Sequence, residues 1–313
     1  MNPKIKTIFL GSGVFAVAIL QKLLTLDFLE VAAVITQPDK KAGRKGELTP
    51  TPVKSSMAGS NVTILQPQSL RKEQDKILED IKPQLVIVAD YGQILNSKFL
   101  NYPEHGCINV HASLLPKLRG AAPIKFALLE NLKETGITLM KMDEGLDTGD
   151  IIVQGHFTIR NETASELTLK LSELGAGLLQ QTLPLWLAGE IKPGKQDETK
   201  VTFAHKEMLL EPKYNDKLFF NSSYQQFSGK LKAYDLEGVW IEVTHNNQPK
   251  RLKIFTAGSM LEKKSSAEEP QFFRDSKKLF MQLQAFAVEL IELQLSGMNK
   301  GPSANYLFLA PNV

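Results

Sequence analysis

The stretch Ile108-Asn109-Val110-His111 places an amide and an imidazole on what otherwise reads as a buried strand. Residues two apart on a strand project from one face, so Asn109 and His111 point together. Asn is a poor strand residue, and its place beside His calls for a reason. The amide donates hydrogen bonds without titrating, while an imidazole exchanges a proton near neutral pH. The pair suits a reaction in which negative charge builds on oxygen as a proton moves, which describes acyl transfer. No enzymic Ser or Cys nucleophile is required if the acceptor brings its own amine. An acid such as Asp147, in Asp143-Glu144-Gly145-Leu146-Asp147-Thr148-Gly149-Asp150, would orient the imidazole. The plainer alternatives are a His satisfied by a nearby loop and an acidic hairpin tip. A calcium site is a weak alternative, because EF-hand spacing is absent.

These residues need a scaffold, and the first half of the chain supplies one. Apolar stretches IKTIFL, EVAAVIT, NVTILQ, PQLVIVAD and GCINVH read as strands. Helices are expected over 14–26, near 69–80 and over 163–188, the last opened by Thr163 with Glu166 three residues on. TGITLMKM and DIIVQGHF add two strands. Short apolar strands alternating with helices imply an α/β, Rossmann-like, mostly parallel open sheet with flanking helices. Asn109 and His111 then stand at a strand's carboxyl end, where open α/β sheets bind ligands. Residues 188–200 are polar with Gly and Pro and read as a linker. Beyond about 207 the apolar runs read as β-strands without alternating helices, and a small OB-like β-barrel is the natural expectation. The domains expected are therefore 1–188, a linker over 189–206, and 207–313.

Two further stretches stand out. Residues 36–54 are too long for an ordinary connection. They carry Lys40, Lys41, Arg44, Lys45 and Lys54, with Pro38, Pro50 and Pro52 at the roots. A solvated loop is the plain reading, and a basic finger that meets phosphates is the functional one. Gly11-Ser12-Gly13-Val14-Phe15-Ala16 matches G-x-G-x-x-A between strand and helix, the pattern of a dinucleotide site. That makes a nicotinamide oxidoreductase the main rival. The acid expected at the end of the second strand is missing, since Thr36-Gln37 stand there.

Composition sets outer bounds. Of 313 residues, 42% are apolar and 23% charged, with a net charge of +3. That is an ordinary soluble composition that tolerates a polyanion without requiring one. The single cysteine, Cys107, fits a reducing, cytoplasmic compartment and is expected to pack. The five histidines show neither paired Cys/His nor HExxH spacing, so no metal is expected. The N-terminal run imitates a signal peptide, but Gly11 and Gly13 interrupt it. No membrane span is expected.

INVHASLLPKLRGAAPI followed by EGLDTGDI resembles the folate-dependent formyltransferases. FLGSGVFA at 9–16 and QPDKKAGRKGELTPTPVK at 37–54 are similar to the branch that acts on methionyl-tRNA. The resemblance implies transfer of the formyl group of 10-formyltetrahydrofolate to the methionine amine of initiator tRNA. By motif match Asn109, His111 and Asp147 form the catalytic trio. Ser113, Leu114, Leu115 and Pro116, with Tyr91, Gly92, Gln93 and Ile94, would line the folate pocket opposite Asp143. The basic loop, Lys40, Lys41, Arg44 and Lys45, would touch the tRNA acceptor end, and the C-terminal barrel would contact tRNA as well. A monomer is expected. The alternatives within the superfamily are formylation of a nucleotide-linked amino sugar and hydrolysis of formylfolate. A noncatalytic RNA-binding protein is the remaining alternative. The sequence departs from the branch in lacking a proline in AYDLEGVWIEV and in placing Asp90 before Tyr91-Gly92.

Overall fold

The computed structural model describes residues 3–42, 46–205, 221–266 and 270–310, so Arg44 and Lys45 lie outside the described residues. The chain divides into two compact units. Met1–Pro123, Lys133–Ile159 and Leu167–Lys206 form the first, and Ile124–Leu132, Arg160–Glu166 and Glu207–Val313 the second. Residues 124–132 and 160–166 group with the C-terminal segment, and 189–205 with the first unit.

The first unit is built on strands β1 (Ile5–Gly11), β2 (Leu29–Ile35), β5 (Thr63–Leu65), β6 (Leu85–Ala89), β7 (Cys107–His111), β8 (Glu134–Lys141) and β9 (Asp150–Thr158). They form one sheet in the order β5-β2-β1-β6-β7-β8-β9. Pairings from β5 through β7 are parallel, and β7-β8 and β8-β9 are antiparallel. Parallel neighbours need a crossover of about a dozen residues, and only 142–149 separate β8 from β9, so these two form a hairpin. Strand β6, Leu-Val-Ile-Val-Ala, is buried along its whole length, as a strand covered on both faces must be.

Helices cover both faces. Helix α1 (Val14–Leu24) buries Phe15, Ala16, Ile19, Leu20 and Leu23. Helix α3 (Leu70–Ile81) is polar outside and sets Leu70, Ile77 and Leu78 in a cluster with Ile8, Val86, Val88, Phe99 and Cys107. Each such buried side chain stabilises by roughly 1.5–3 kcal/mol. The long helix α6 (Ala164–Leu187) lies against β7 and β8 through Gly175. A side-chain carbon at Gly175 would stand 2.9 Å from Val110 Cγ1, so only a glycine lets the helix sit this close.

Within residues 36–54 the chain forms two short strands and the start of a helix. Strands β3 (Lys40–Ala42) and β4 (Glu47–Thr49) pair as an antiparallel hairpin. Short helix α2 (Pro52–Ser56) follows, capped by Thr51, whose hydroxyl accepts from Lys54 N at 3.1 Å. Helix α4 (Ser97–Leu100) and helix α5 (Pro123–Leu129) complete the helices of the N-terminal half.

The second unit carries an antiparallel sheet. Strands β10 (Val239–His245), β11 (Gln248–Glu262), β12 (Gln271–Asp275), β13 (Lys278–Gln282) and β14 (Phe286–Leu295) run in the order β10-β11-β14-β13-β12. Register shifts between Ile254 and Met260 bend the fifteen-residue β11 as it pairs with β14, the device by which antiparallel sheets curl. Helix α7 (Tyr224–Ala233) corrects the expectation of strands alone beyond 207. Its start was legible as Ser223-x-x-Gln226, since Ser223 and Gln226 form a full capping box.

Candidate active site

Strand β7 delivers Asn109 and His111 on one face, the face on which Cys107 enters the α3 cluster. Cys107 is 1% exposed, and burial pushes its thiol up to about 12, so it packs as a small apolar group. Asn109 and His111 lie two and four residues further on, past the end of that cluster. On β8, Met140 pairs with Asn109 and Thr138 with His111.

The β8–β9 turn brings the carboxylate. Met142 N donates to Cys107 O at 2.8 Å, pinning the turn's first limb to β7. Asp143 shapes the loop, its Oδ1 accepting from Gly145 N at 3.1 Å and Thr148 Oγ1 at 2.6 Å. A side-chain carbon at Gly149 would fall 1.9 Å from Lys141 O, so the returning limb passes too close for any side chain. Asp147 itself sits at φ 53°, a left-handed backbone uncommon outside glycine. Such conformations cost about 1–3 kcal/mol and persist where surrounding bonds impose them.

The three residues meet. Asp147 Oδ1 accepts from Asn109 Nδ2 at 3.3 Å and lies 3.6 Å from His111 Nδ1. Asp147 Oδ2 accepts from Gly120 N at 2.8 Å. His111 Nε2 is 3.0 Å from Leu118 O, so that nitrogen carries a hydrogen. Its Nδ1 faces the Asp147 carboxylate. His111 is 5% exposed and the Asp147 side chain 13%, which shelters their interaction from water.

The remaining expected residues differ in exposure and in the partners they hold. Ser113 is buried and its hydroxyl donates to Lys117 O at 2.6 Å, closing the turn after β7. Leu115 is buried, its N–H donating to Thr138 Oγ1 at 3.0 Å, while Leu114 and Pro116 are half-buried. Leu114 lies over Gly136, where a side-chain carbon would stand 2.6 Å from its Cδ2. In the segment after β6, Tyr91 joins the α3 cluster, and burial, with the Glu73 charge, holds its phenol in the protonated form. Gly92 takes φ 81°. Gln93 Oε1 accepts from Leu70 N at 3.0 Å, serving the first turn of α3. Ile94 is 88% exposed, and Leu146, beside Asp147, is 52% exposed. In the hairpin Lys40 Nζ donates to Gln37 Oε1 at 2.9 Å, and Lys40 and Lys41 are exposed.

The Gly11–Ala16 turn does not present an open anion site. A side-chain carbon at Gly13 would stand 1.8 Å from Asp90 Oδ2, so the Asp90 carboxylate lies against the start of α1. That is where a dinucleotide's pyrophosphate would need to sit, and a carboxylate there repels it. Ser12 is spent on structure, its Oγ accepting from Gln37 N at 3.0 Å.

Residues 4–183 match the family model described as Formyl transferase, more than half of the chain. The chain belongs to the formyl transferase family. A methionyl-tRNA formyltransferase of Bacillus cytotoxicus is 46% identical to this formyl transferase over 214 residues, 67% of this chain and 68% of that protein. One from Bacillus cereus strain B4264 is 48% identical over 204 residues, 64% of each chain, so the match spans just under two thirds of that relative. Among solved structures, the N-formyltransferase of Helicobacter canadensis, in complex with folinic acid and dTDP-3-aminofucose, has a TM-score of 0.66 at 18% identity. That likeness covers 91% of this chain and 98% of that one. HypX from Aquifex aeolicus in complex with tetrahydrofolic acid has a TM-score of 0.61 at 16% identity, covering 97% of this chain and 47% of that one. At these identities the likeness speaks for the fold.

Some residues that hold this formyl transferase's site together carried no sequence signal. Gly120 and Leu118 act through their backbones. Arg119 stood in the quoted motif without a role, and Gln196 lay in a polar stretch read as a linker. In the structure Gln196 Nε2 donates to Asp147 O and Gly149 O, both at 2.8 Å. A lone Gln among charged residues looks like any solvated segment, so only its partners reveal it.

Proposed function

We propose that this formyl transferase moves the formyl group of 10-formyltetrahydrofolate to the amino group of methionine on initiator tRNA, acting in the cytoplasm as a monomer. The observation that carries the reading is the convergence of Asn109, His111 and Asp147 at 3.3–3.6 Å, from a strand end and a distant turn. The acceptor amine has a reference pKa of about 7.7–8.0, so a useful fraction is neutral at pH 7. It attacks the formyl carbon directly, forming the new C–N bond and an oxyanion. The Asn109 amide and a proton on His111 Nδ1 donate to that oxyanion. The C–N bond to folate then breaks, and the folate nitrogen takes up the proton that the amine gives away, with His111 and Asp147 as relay. The half-buried Leu114 and Pro116, with exposed Ile94 and Leu146, offer apolar surface for a pterin and its ring substituents.

Two things favour tRNA as acceptor. The relatives that match at 46–48% identity are named methionyl-tRNA formyltransferases. The β3–β4 hairpin also sets Lys40 and Lys41 on an exposed, structured arm suited to phosphates. The test offers 10-formyltetrahydrofolate with charged initiator tRNA or with a nucleotide amino sugar, and follows which acceptor gains a formyl group. Formylation of methionyl-tRNA alone is expected. Formylation of the sugar alone would replace the proposal with the other branch.

A further inference from the structure

We infer that Gln196, held by Arg119, is a positioning residue that clamps the Asp147 turn in its active shape. The inference rests on the reading of Asp147 as part of the catalytic trio. Both N–H bonds of Gln196 are used on one turn, with Asp147 O and Gly149 O each 2.8 Å away. Its carbonyl faces the other way, accepting from Arg119 Nε at 3.1 Å and Nη2 at 2.8 Å. That pairing settles the amide's orientation, because Arg only donates and carbonyls only accept. Arg119 is 3% exposed, and its outer edge meets Glu198 at 3.2 and 2.6 Å.

The geometry is economical in sequence. Residues 118–120 touch both halves of the trio. Leu118 O takes His111 Nε2, Gly120 N donates to Asp147 Oδ2, and the Arg119 side chain between them holds Gln196. The Asp147 carboxylate is therefore gripped at Oδ2 and, through its own backbone, by Gln196. These bonds hold the left-handed backbone at Asp147 in one position. Nothing in the clamp has to reach the substrate. The clamp also has its own anchorage, independent of the Gln196 side chain. Ile151 and Gly194 exchange backbone hydrogen bonds at 2.8 Å, Arg119 N donates to Thr202 O at 2.9 Å, and Ala204 N to Arg119 O at 2.7 Å. Removing the amide thus frees the turn while leaving segment 194–204 in place.

The test is Gln196→Glu, which keeps the volume and an acceptor for Arg119 but turns an oxygen toward two carbonyls. Gln196→Met, which removes both donors without adding charge, carries the test if the first variant does not fold. The expected result is a native far-UV spectrum, KM values for both substrates within about threefold of wild type, and kcat lowered at least about tenfold. Asp147→Asn, alone and combined with each Gln196 change under single-turnover conditions, shows where the loss originates. If Gln196 acts through the carboxylate, its replacement costs no more than about twofold further once Asp147 is changed. Wild-type kcat in both Gln196 variants, or a full tenfold further loss in the Asp147→Asn background, overturns the clamp alone. Wild-type turnover by Asp147→Asn overturns the reading of the trio, and the clamp with it.

Discussion

Asn109 matters as a donor and not merely as a polar residue, and its neighbours make that testable. Its amide stands 3.3 Å from Asp147 Oδ1, on the strand face that begins with Cys107 in the apolar core and ends with His111. Asn109→Ala removes one oxyanion donor, a change that typically costs about 2.7–4 kcal/mol of barrier. We expect kcat to fall about 10²–10³-fold with the thermal midpoint little changed. Turnover within threefold of wild type in the folded variant would remove Asn109 from the proposed chemistry. Cys107, two residues earlier on the same face, is predicted to be inert. Its thiol is buried and pushed up to about 12, so the reactive thiolate is scarce at pH 8. Iodoacetamide should label it only after unfolding. Rapid labelling of the native enzyme would contradict the packing described.

At the scale of elements, the site depends on how closely two limbs of one turn can pass. Gly149 lies against the carbonyl of Lys141, and an added methyl group would have to displace that backbone. Gly149→Ala is therefore expected to shift the Asp147 turn as a whole, lowering both stability and kcat. A variant with wild-type melting and wild-type kcat would show that the limbs have more room than the geometry allows. Acid stability is also an element-scale property. Asp39 is held below its ordinary 3.8 by hydrogen bonds from Gln66 and Lys54 at the hairpin root. Asp197 is held at about 2 by Thr199 and Lys200, and Glu198 below its ordinary 4.5 by Arg119. Folded values below unfolded ones mean stabilisation that is complete above about pH 4.5 and is lost as pH falls through the folded values. Thermal melts should thus decline between about pH 4.5 and 2, and added salt should soften the decline because these groups face solvent. A midpoint flat across that range would show that these contacts are not maintained in solution.

For the whole molecule, the question is what holds a large polyanion. The net charge is only +3, so affinity for the proposed tRNA acceptor has to come from where charge is placed. The hairpin concentrates it, with Lys40 and Lys41 exposed and Lys54 paired to Asp39 at 2.7 Å as a structural tie. Neutralising Lys40, Lys41, Arg44 and Lys45 together is expected to raise the tRNA KM and flatten its dependence on salt, with the folate KM unchanged. An unchanged tRNA KM would place recognition elsewhere. Among the described residues no helix is long and apolar enough to cross a membrane.

Periodicity and residue type alone determined the alternating strands and helices, the strand-end position of Asn109 and His111, and the β character of the C-terminal segment. Those features are local, because a strand buried on both faces must be apolar and a polar pair at its exit is conspicuous. Helix α7 went unread, although the spacing of Ser223 and Gln226 marks its start, because the apolar runs around it read as strands. The tertiary structure alone decided that the polar stretch around Gln196 is part of the first unit and grips the Asp147 turn. It also decided that a carboxylate occupies the start of α1, removing the dinucleotide reading. Both depend on contacts between residues far apart in the chain, Gln196 with Asp147 and Arg119, and Asp90 with Gly13. Such partnerships leave no periodic trace, since a side chain satisfied by a distant backbone carbonyl has the same composition as one satisfied by water.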